Sequence, residues 1–280
     1  MRKLIIYTLI ILSAAAVSCD MQKEVDLKLP EYESQMAVEC YLQPGQPYIL
    51  SLIESVPYYD NIRIKYVTDA TVTITHNGKT ITLIRFGVPI PDSLNELGVL
   101  RPIIGDTIYT YVAFDVVPED YFQDFDLEIT RANGDKLYAT TQILPAVKID
   151  TMEYKFNDDN KAFVLTKFQD DPDRANFYRV VLQKQNLNDN PDQDFFVDDD
   201  ITNGEEFNFG TAFEYAKGDT LIRTVYHITE DYYRYLETTS AATDANYNPF
   251  GQPATVKSNV SGGLGIFTGI TFDRRWLIIE

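Results

Sequence analysis

Basic residues are scarce in this sequence. Its 280 residues carry 24 Lys and Arg against 42 Asp and Glu, a formal charge of −18. A phosphate backbone is bound by releasing its counterions to a basic surface, so nucleic acid is excluded as a general partner. Cysteine and histidine are scarcer still, at 2 each. Two cysteines build no disulfide scaffold, and two histidines leave little for a zinc centre. No run after residue 18 is long and apolar enough to span a bilayer, which takes about 20 residues. The nucleophile motif Gly-x-Ser-x-Gly is missing. Ser261-Gly262-Gly263-Leu264-Gly265 lacks the Gly-Lys-Ser/Thr ending of a phosphate loop and leads into strand-like sequence. What the chain does have is apolar bulk: 45% hydrophobic residues, with 19 Tyr and 16 Phe. That supplies one large core or two medium ones and excludes wholesale disorder.

The N-terminus reads as an address. Arg2 and Lys3 precede an apolar run from Leu4 to Val17, too short to span and shaped like a secretory signal peptide. The run closes on Ala14-Ala15-Ala16-Val17-Ser18-Cys19. A Cys directly after small residues resembles the lipobox of bacterial lipoproteins, whose Cys thiol takes a diacylglycerol and becomes the new N-terminus. The Leu usual three residues earlier is Ala16 here. Lipid attachment at Cys19 is therefore expected, with residues 1–18 removed and 19–34 left as a lipidated tether. Each buried CH₂ adds roughly 0.8 kcal/mol, so two or three acyl chains hold a protein firmly on a membrane. Loss of Arg2 and Lys3 moves the formal charge from −18 to −20. Asp20 and Glu24, just after the Cys, resemble a signal for display on the outer face of the outer membrane. The expected location is the outer membrane, at the cell surface or on the periplasmic face. Cys40, in the strand-like run Met36–Leu42, is expected to be a small buried hydrophobe.

Beyond the tether, short runs of period two alternate with turn signals. Thr71–Thr75 and Thr80–Ile84 flank Asn77-Gly78, the pair a type I′ hairpin turn demands. Leu127–Thr130 and Lys136–Thr140 flank Asn133-Gly134-Asp135 in the same way. Tyr48–Ile53 and Thr107–Val112 also read as strands. Residues 35–145 are thus expected to form an antiparallel β-sandwich, immunoglobulin-like or prealbumin-like. Between Phe86 and Ile104 lies a Pro- and Gly-containing stretch that reads as an exposed functional loop, an irregular crossover or a short helix over Pro91–Leu97. After Leu144-Pro145 a second β-rich lobe is expected over 146–280. Tyr232, Tyr235, Leu236 and Thr239 share one helical face there, and Thr229 is a suitable cap, so one helix is placed near 229–240. The fold class is mostly β.

Chemistry is thinly marked. His76 sits at a hairpin turn and His227 at a strand end, and both read as structural. Asn188 to Asp200 reads as an acid-rich loop. Its Asn188, Asn190, Asp192 and Asp194 alternate as calcium-loop ligands do. Gln193 stands where the sharp-turn Gly belongs, and Asp199 where the bidentate Glu belongs. Asp192 and Asp194 are therefore either calcium ligands or part of a solvated acidic loop. No residue set calls for a cofactor.

The closing segment is the most distinctive. Asn248-Pro249-Phe250-Gly251-Gln252-Pro253 is followed by Ser258-Asn259-Val260-Ser261-Gly262-Gly263-Leu264-Gly265-Ile266-Phe267. This resembles the close of a Bacteroidota lipoprotein family, domain of unknown function 4249. Glu24-Val25-Asp26-Leu27, Val38-Glu39 and Asp231-Tyr232-Tyr233-Arg234-Tyr235-Leu236 resemble its other landmarks. Ser258, Asn259, Gly262, Gly263, Gly265 and Phe267 are its structural signature here. The resemblance implies an accessory role in nutrient capture or envelope assembly, near a TonB-dependent outer-membrane receptor, and supplies no catalytic residues. The expected function is that of an accessory binding lipoprotein, not an enzyme, working with such a receptor in nutrient capture. Its ligand is unspecified, and its contact with the membrane is through the lipid. Two rivals stand beside it: a structural or adhesive surface protein, and a hydrolase with a carboxylate pair. An aromatic-lined pocket near Phe86–Ile104 favours ligand capture, a flat apolar patch favours a protein partner, and two carboxylates in a cleft favour hydrolysis.

Overall fold

Alternation of apolar and polar side chains builds most of the strands. The structure, a computed structural model, describes residues 32–57, 63–91, 103–247 and 254–280. The signal segment, Cys19, nearly all of the tether, residues 92–97 of the Pro91–Leu97 stretch and the segment Asn248–Pro253 lie outside the described residues.

The first half of the chain gives β1 (Met36–Leu42), β2 (Pro47–Glu54), β3 (Lys65–Tyr66), β4 (Ala70–His76), β5 (Lys79–Pro89), β6 (Thr107–Val116), β7 (Asp124–Arg131) and β8 (Lys136–Gln142). Strands β1, β2 and β6 face β4, β7 and β8. Strand β5 passes from one layer to the other: Leu83 pairs with Val72 of β4, and Ile84 pairs with Val112 of β6. Val38, Cys40, Leu50, Leu52, Val72 and Phe125 fill the space between the layers. The β4–β5 turn has positive φ at both Asn77 and Gly78, as the Asn-Gly pair demands.

The second half gives β9 (Ile149–Phe156), β10 (Ala162–Gln169), β11 (Phe177–Lys184), β12 (Gln193–Asp198), β13 (Glu206–Gly210), β14 (Thr220–Ile228), helix α1 (Glu230–Tyr247) and β15 (Leu264–Ile278). A three-stranded sheet, β13-β10-β9, covers β11 and β14. Ile149, Phe168, Tyr178, Val180 and Val225 pack between them.

Strand β15 belongs to both halves. Leu264–Gly269 runs parallel to β1, and Ile270–Ile278 runs antiparallel to β14. One continuous sheet path results, β12-β11-β14-β15-β1-β2-β6-β5-β4-β7-β8. The mostly β, sandwich-like fold agrees with the sequence; the β1–β15 pair is the parallel exception.

Several boundaries differ from the sequence expectation. Strand β5 runs on through Phe86 to Pro89, and Gln193–Asp198, read as loop, is strand β12. Phe195, Phe196 and Val197 give that segment enough apolar character to pair with β11 despite its acids. Helix α1 continues to Tyr247. Its last turns, rich in Thr and Ala, carry no apolar stripe, but Ala extends an established helix at little cost. Among the described residues no helix is long and apolar enough to cross a membrane.

Candidate functional site

Period two decides which side chains leave the core. On β1, Val38 and Cys40 point inward, so Ala37, Glu39 and Tyr41 point out. On β2, Leu50 and Leu52 point inward, so Ser51 and Ile53 point out. The register sets Glu39 opposite Ser51, and Ala37 opposite Ile53, which in turn faces Tyr66 of β3. Thr110 of β6 joins the Glu39–Ser51 row, donating its hydroxyl to Leu50 O at 2.8 Å. The outer face thus carries a polar row, Glu39–Ser51–Thr110, beside an apolar row, Ala37–Ile53–Tyr66.

Helix α1 stands over one side of this face. Thr229 starts it by accepting the Tyr232 amide on Oγ1 at 3.3 Å, and its hydroxyl lies 3.0 Å from that of Thr268. Glu230 and Asp231 suit the positive end of the helix dipole. Tyr232 and Tyr233 pack with Phe177, Ile228 and Ile266, which fixes the helix on the sheet. Tyr41 meets Tyr232 edge-on at 5.6 Å. The Tyr235 hydroxyl then reaches Glu39 Oε1 at 3.4 Å. Burial raises the Tyr235 phenol above its usual pKa, and the neighbouring Glu39 adds to this, so Tyr235 remains a neutral donor. After the helix, the Lys257 amide donates to Thr238 Oγ1 at 2.9 Å, pinning the returning chain beside the face.

A groove of about 530 Å³ results, within the range of small-ligand sites. Its floor is the two rows, and Ile64, Ile108, Tyr109, Tyr235, Val256 and Leu264 complete its walls. Tyr66 and Tyr109 meet edge-on at 5.8 Å. Glu39 is the one carboxylate among the described lining residues. Ile108–Thr110 begin four residues after the end of the Phe86–Ile104 stretch. Beyond the groove, Ile49, Val112 and Ile84 line up across β2, β6 and β5, and Ile49, Ile84, Phe86 and Val88 are about half exposed.

The closing motif builds the seam below. Asn259 presents its amide as a strand would: Nδ2 donates to Phe267 O at 2.7 Å, and Oδ1 accepts the Phe267 amide at 3.0 Å. Ser258 donates to Gly265 O at 2.9 Å. Ser261 exchanges two backbone hydrogen bonds with Tyr138 of β8, at 2.8 and 2.9 Å. Phe267 and Val260 enter the first core. A Cβ at Gly265 would overlap the Val38 carbonyl oxygen, and its φ is +112, so β15 lies against β1 only with glycine there. A Cβ at Gly262 or Gly263 would likewise overlap the Lys136 or Met36 carbonyl oxygen. Ser258 and Gly265 also line the groove, so the motif is part of its wall.

The other predicted residues are placed apart. Asp194 forms a two-pronged ion pair with Arg179, at 2.6 and 2.8 Å, which holds that guanidinium above its usual pKa despite burial. Asp192 accepts the Tyr215 hydroxyl at 3.1 Å. Among the described residues no group of three or more His, Cys, Asp or Glu is arranged to hold a metal ion. Cys40 is fully buried, and burial pushes its thiol up to about 12. His76 stacks on Phe125 at 3.8 Å. His227 is buried between Pro145 O and Asn176 Oδ1. A second, more open cleft lies between β7, β8 and the start of α1, bordered by Asp124, Thr140, Glu230 and Asp231. The groove's rows were missed in the sequence; the alternation of β1 and β2 marks their outward residues but not that the two strands adjoin.

The fold and its helix-walled groove define a sandwich protein with a concave, mainly apolar site. The chain belongs to the family described as domain of unknown function (DUF4249), whose profile matches residues 22–275. No curated protein matches it. A chain of a solved cytokine receptor complex aligns with 86% of this chain and 96% of its own, at 8% identity and a TM-score of 0.29, a likeness too low to carry an argument.

Proposed function

We propose that this protein is a lipid-anchored accessory binding protein of the outer membrane, working beside a TonB-dependent receptor and capturing a small ligand. The observation that carries the reading is the groove: about 530 Å³, tyrosine-walled and mainly apolar, with a few convergent polar groups. Such a site binds by area and orients by its polar row. The lipid on Cys19 supplies the anchor, since attraction of an acidic body to anionic lipid does not. The half-exposed strip Ile49, Ile84, Phe86 and Val88 favours a second reading, in which a protein partner is the main client and the molecule is structural or adhesive.

Purification from solubilised membranes followed by native mass spectrometry tests both halves. A bound small molecule that is lost in Ile53→Trp, together with a co-purifying receptor, is the expected result. Recovery of the protein alone, with neither, overturns the proposal. Cys19→Ala should release the protein from membranes; continued membrane association defeats the anchor.

A further inference from the structure

We infer that the ligand of the groove is an amphipathic amine, seated with its ammonium at Glu39 and its apolar body over Ile53 and Tyr66. This rests on the capture reading above and adds the chemical class. Three observations carry it.

The first is the segregation of the floor. The register puts Glu39 and Ser51 in one row, and Ala37, Ile53 and Tyr66 in the next. A ligand lying across both rows needs one polar end and one apolar end.

The second is the charge. Glu39 is the one acidic or basic side chain among the described residues that line the groove. Its described polar contact is the Tyr235 hydroxyl at 3.4 Å, and no described Lys, Arg or His forms an ion pair with it. Glu39 is solvent-exposed on the groove floor, and with no cation from its own chain it is open to a charge-assisted hydrogen bond from a ligand's ammonium.

The third is the direction. At the other end the Arg85 guanidinium stands 5.8 Å from the Tyr109 ring centroid, with Nη1 held by Thr68 O at 3.0 Å. That positive charge disfavours an ammonium at the Tyr66–Tyr109 end and leaves Glu39 as its place. A fatty acid or other organic anion, set the other way round with its carboxylate toward Arg85, would lay its apolar body over the Glu39 carboxylate and desolvate it without a counter-charge.

The test uses the full-length protein in lipid nanodiscs with three probes of similar shape: 2-phenylethylamine, 2-phenylethanol and 3-phenylpropanoate. Titration calorimetry and ligand-observed NMR give the affinities. The amine should bind about tenfold tighter than the alcohol, and the anion should bind weakest. Glu39→Gln should bring the amine down to the level of the alcohol, and Ile53→Trp, which fills the groove, should abolish binding of both. Circular dichroism checks that each variant is folded. Equal binding of amine and alcohol to the parent protein overturns the amine assignment while leaving ligand capture intact. No binding of either, with Ile53→Trp indistinguishable from the parent, overturns the capture reading itself.

Discussion

Among the described residues, the first sandwich buries apolar side chains around Val38, Leu52 and Phe125 and, of the polar ones, Thr141 alone; the second encloses Asp170, Asn176, Asp199, Arg223 and His227. The polar groups of the second are mostly paired. Asp170 accepts the Tyr178 hydroxyl at 2.5 Å and the Gly204 amide at 2.8 Å. Asp199 accepts the Asn176 amide at 2.8 Å. Arg223 is the charged exception, in addition to the Thr151 and Thr271 hydroxyls. Its Nε donates to Thr166 Oγ1 and Nη2 to Gln193 Oε1, but among the described residues Nη1 has no partner and no carboxylate forms an ion pair with it, and burial lowers its pKa to about 10. An apolar core is non-directional and tolerates swaps of similar volume. A paired polar core specifies which strands meet, because each wrong pairing strands a donor or acceptor. The first sandwich therefore takes its specificity from the glycine seam and hairpin turns, the second from buried hydrogen bonds.

Substitutions break or sharpen this contrast. The largest effect is expected from Gly265→Val, which forces β15 off β1. A loss of about 4 kcal/mol or more should appear in urea unfolding, with the two sandwiches melting together because they share the strand. Parent-like stability would refute the close approach. Next, Asp170→Ala should cost about 3 kcal/mol, since it leaves the Tyr178 hydroxyl and Gly204 amide unpaired. A cost under that of a single exposed hydrogen bond would remove the polar network from the account. In the opposite direction, Arg223→Met should gain about 1 kcal/mol by replacing an unpaired buried cation with a thioether of similar length. A marked loss of stability would mean that the guanidinium organises the core after all.

The smallest effect separates the halves by pH. Burial lowers the His227 pKa from 6.5, so the folded state keeps the ring neutral. As pH falls below 6.5 the unfolded chain takes up a proton first, and stability drops. In the first sandwich, the hydrogen bond from Lys65 leads in lowering Glu54 from 4.5, against burial and with help from Arg131. That contribution is present above 4.5 and is lost only as pH falls through the lower folded value. Acid should therefore weaken the second half before the first, and His227→Gln should flatten the slope between about pH 7 and pH 5.5. An unchanged slope in that variant would assign the early loss elsewhere.

Local signals were legible and distant ones were not. Asn77-Gly78 dictated its hairpin because positive φ at two residues is a local demand. Thr229 and the Tyr232–Tyr235–Leu236 spacing located the start of α1 for the same reason. The end of that helix escaped notice, since Thr and Ala residues make no stripe. Strand β12 was hidden by acids that turn out to be paired, Asp194 with Arg179 and Asp192 with Tyr215. The closing motif announced itself as glycines, but the role of Asn259 as a surrogate strand depends on where Phe267 lies. The groove was least legible. Its two rows exist only because β1, β2 and β3 adjoin in one register, and no local propensity records that.

The shared strand also sets an order of events for the growing chain. β1 is among the first strands made, yet one of its two neighbours, Leu264–Gly269, is among the last. Until that segment arrives, β1 presents a bare row of amides and carbonyls on one side, an invitation to pair with another copy. Contacts of such sequence separation close slowly, because the intervening loop must be ordered first. Loss of the final strand by truncation or stalled synthesis would leave not a shorter protein but an open-edged and sticky one.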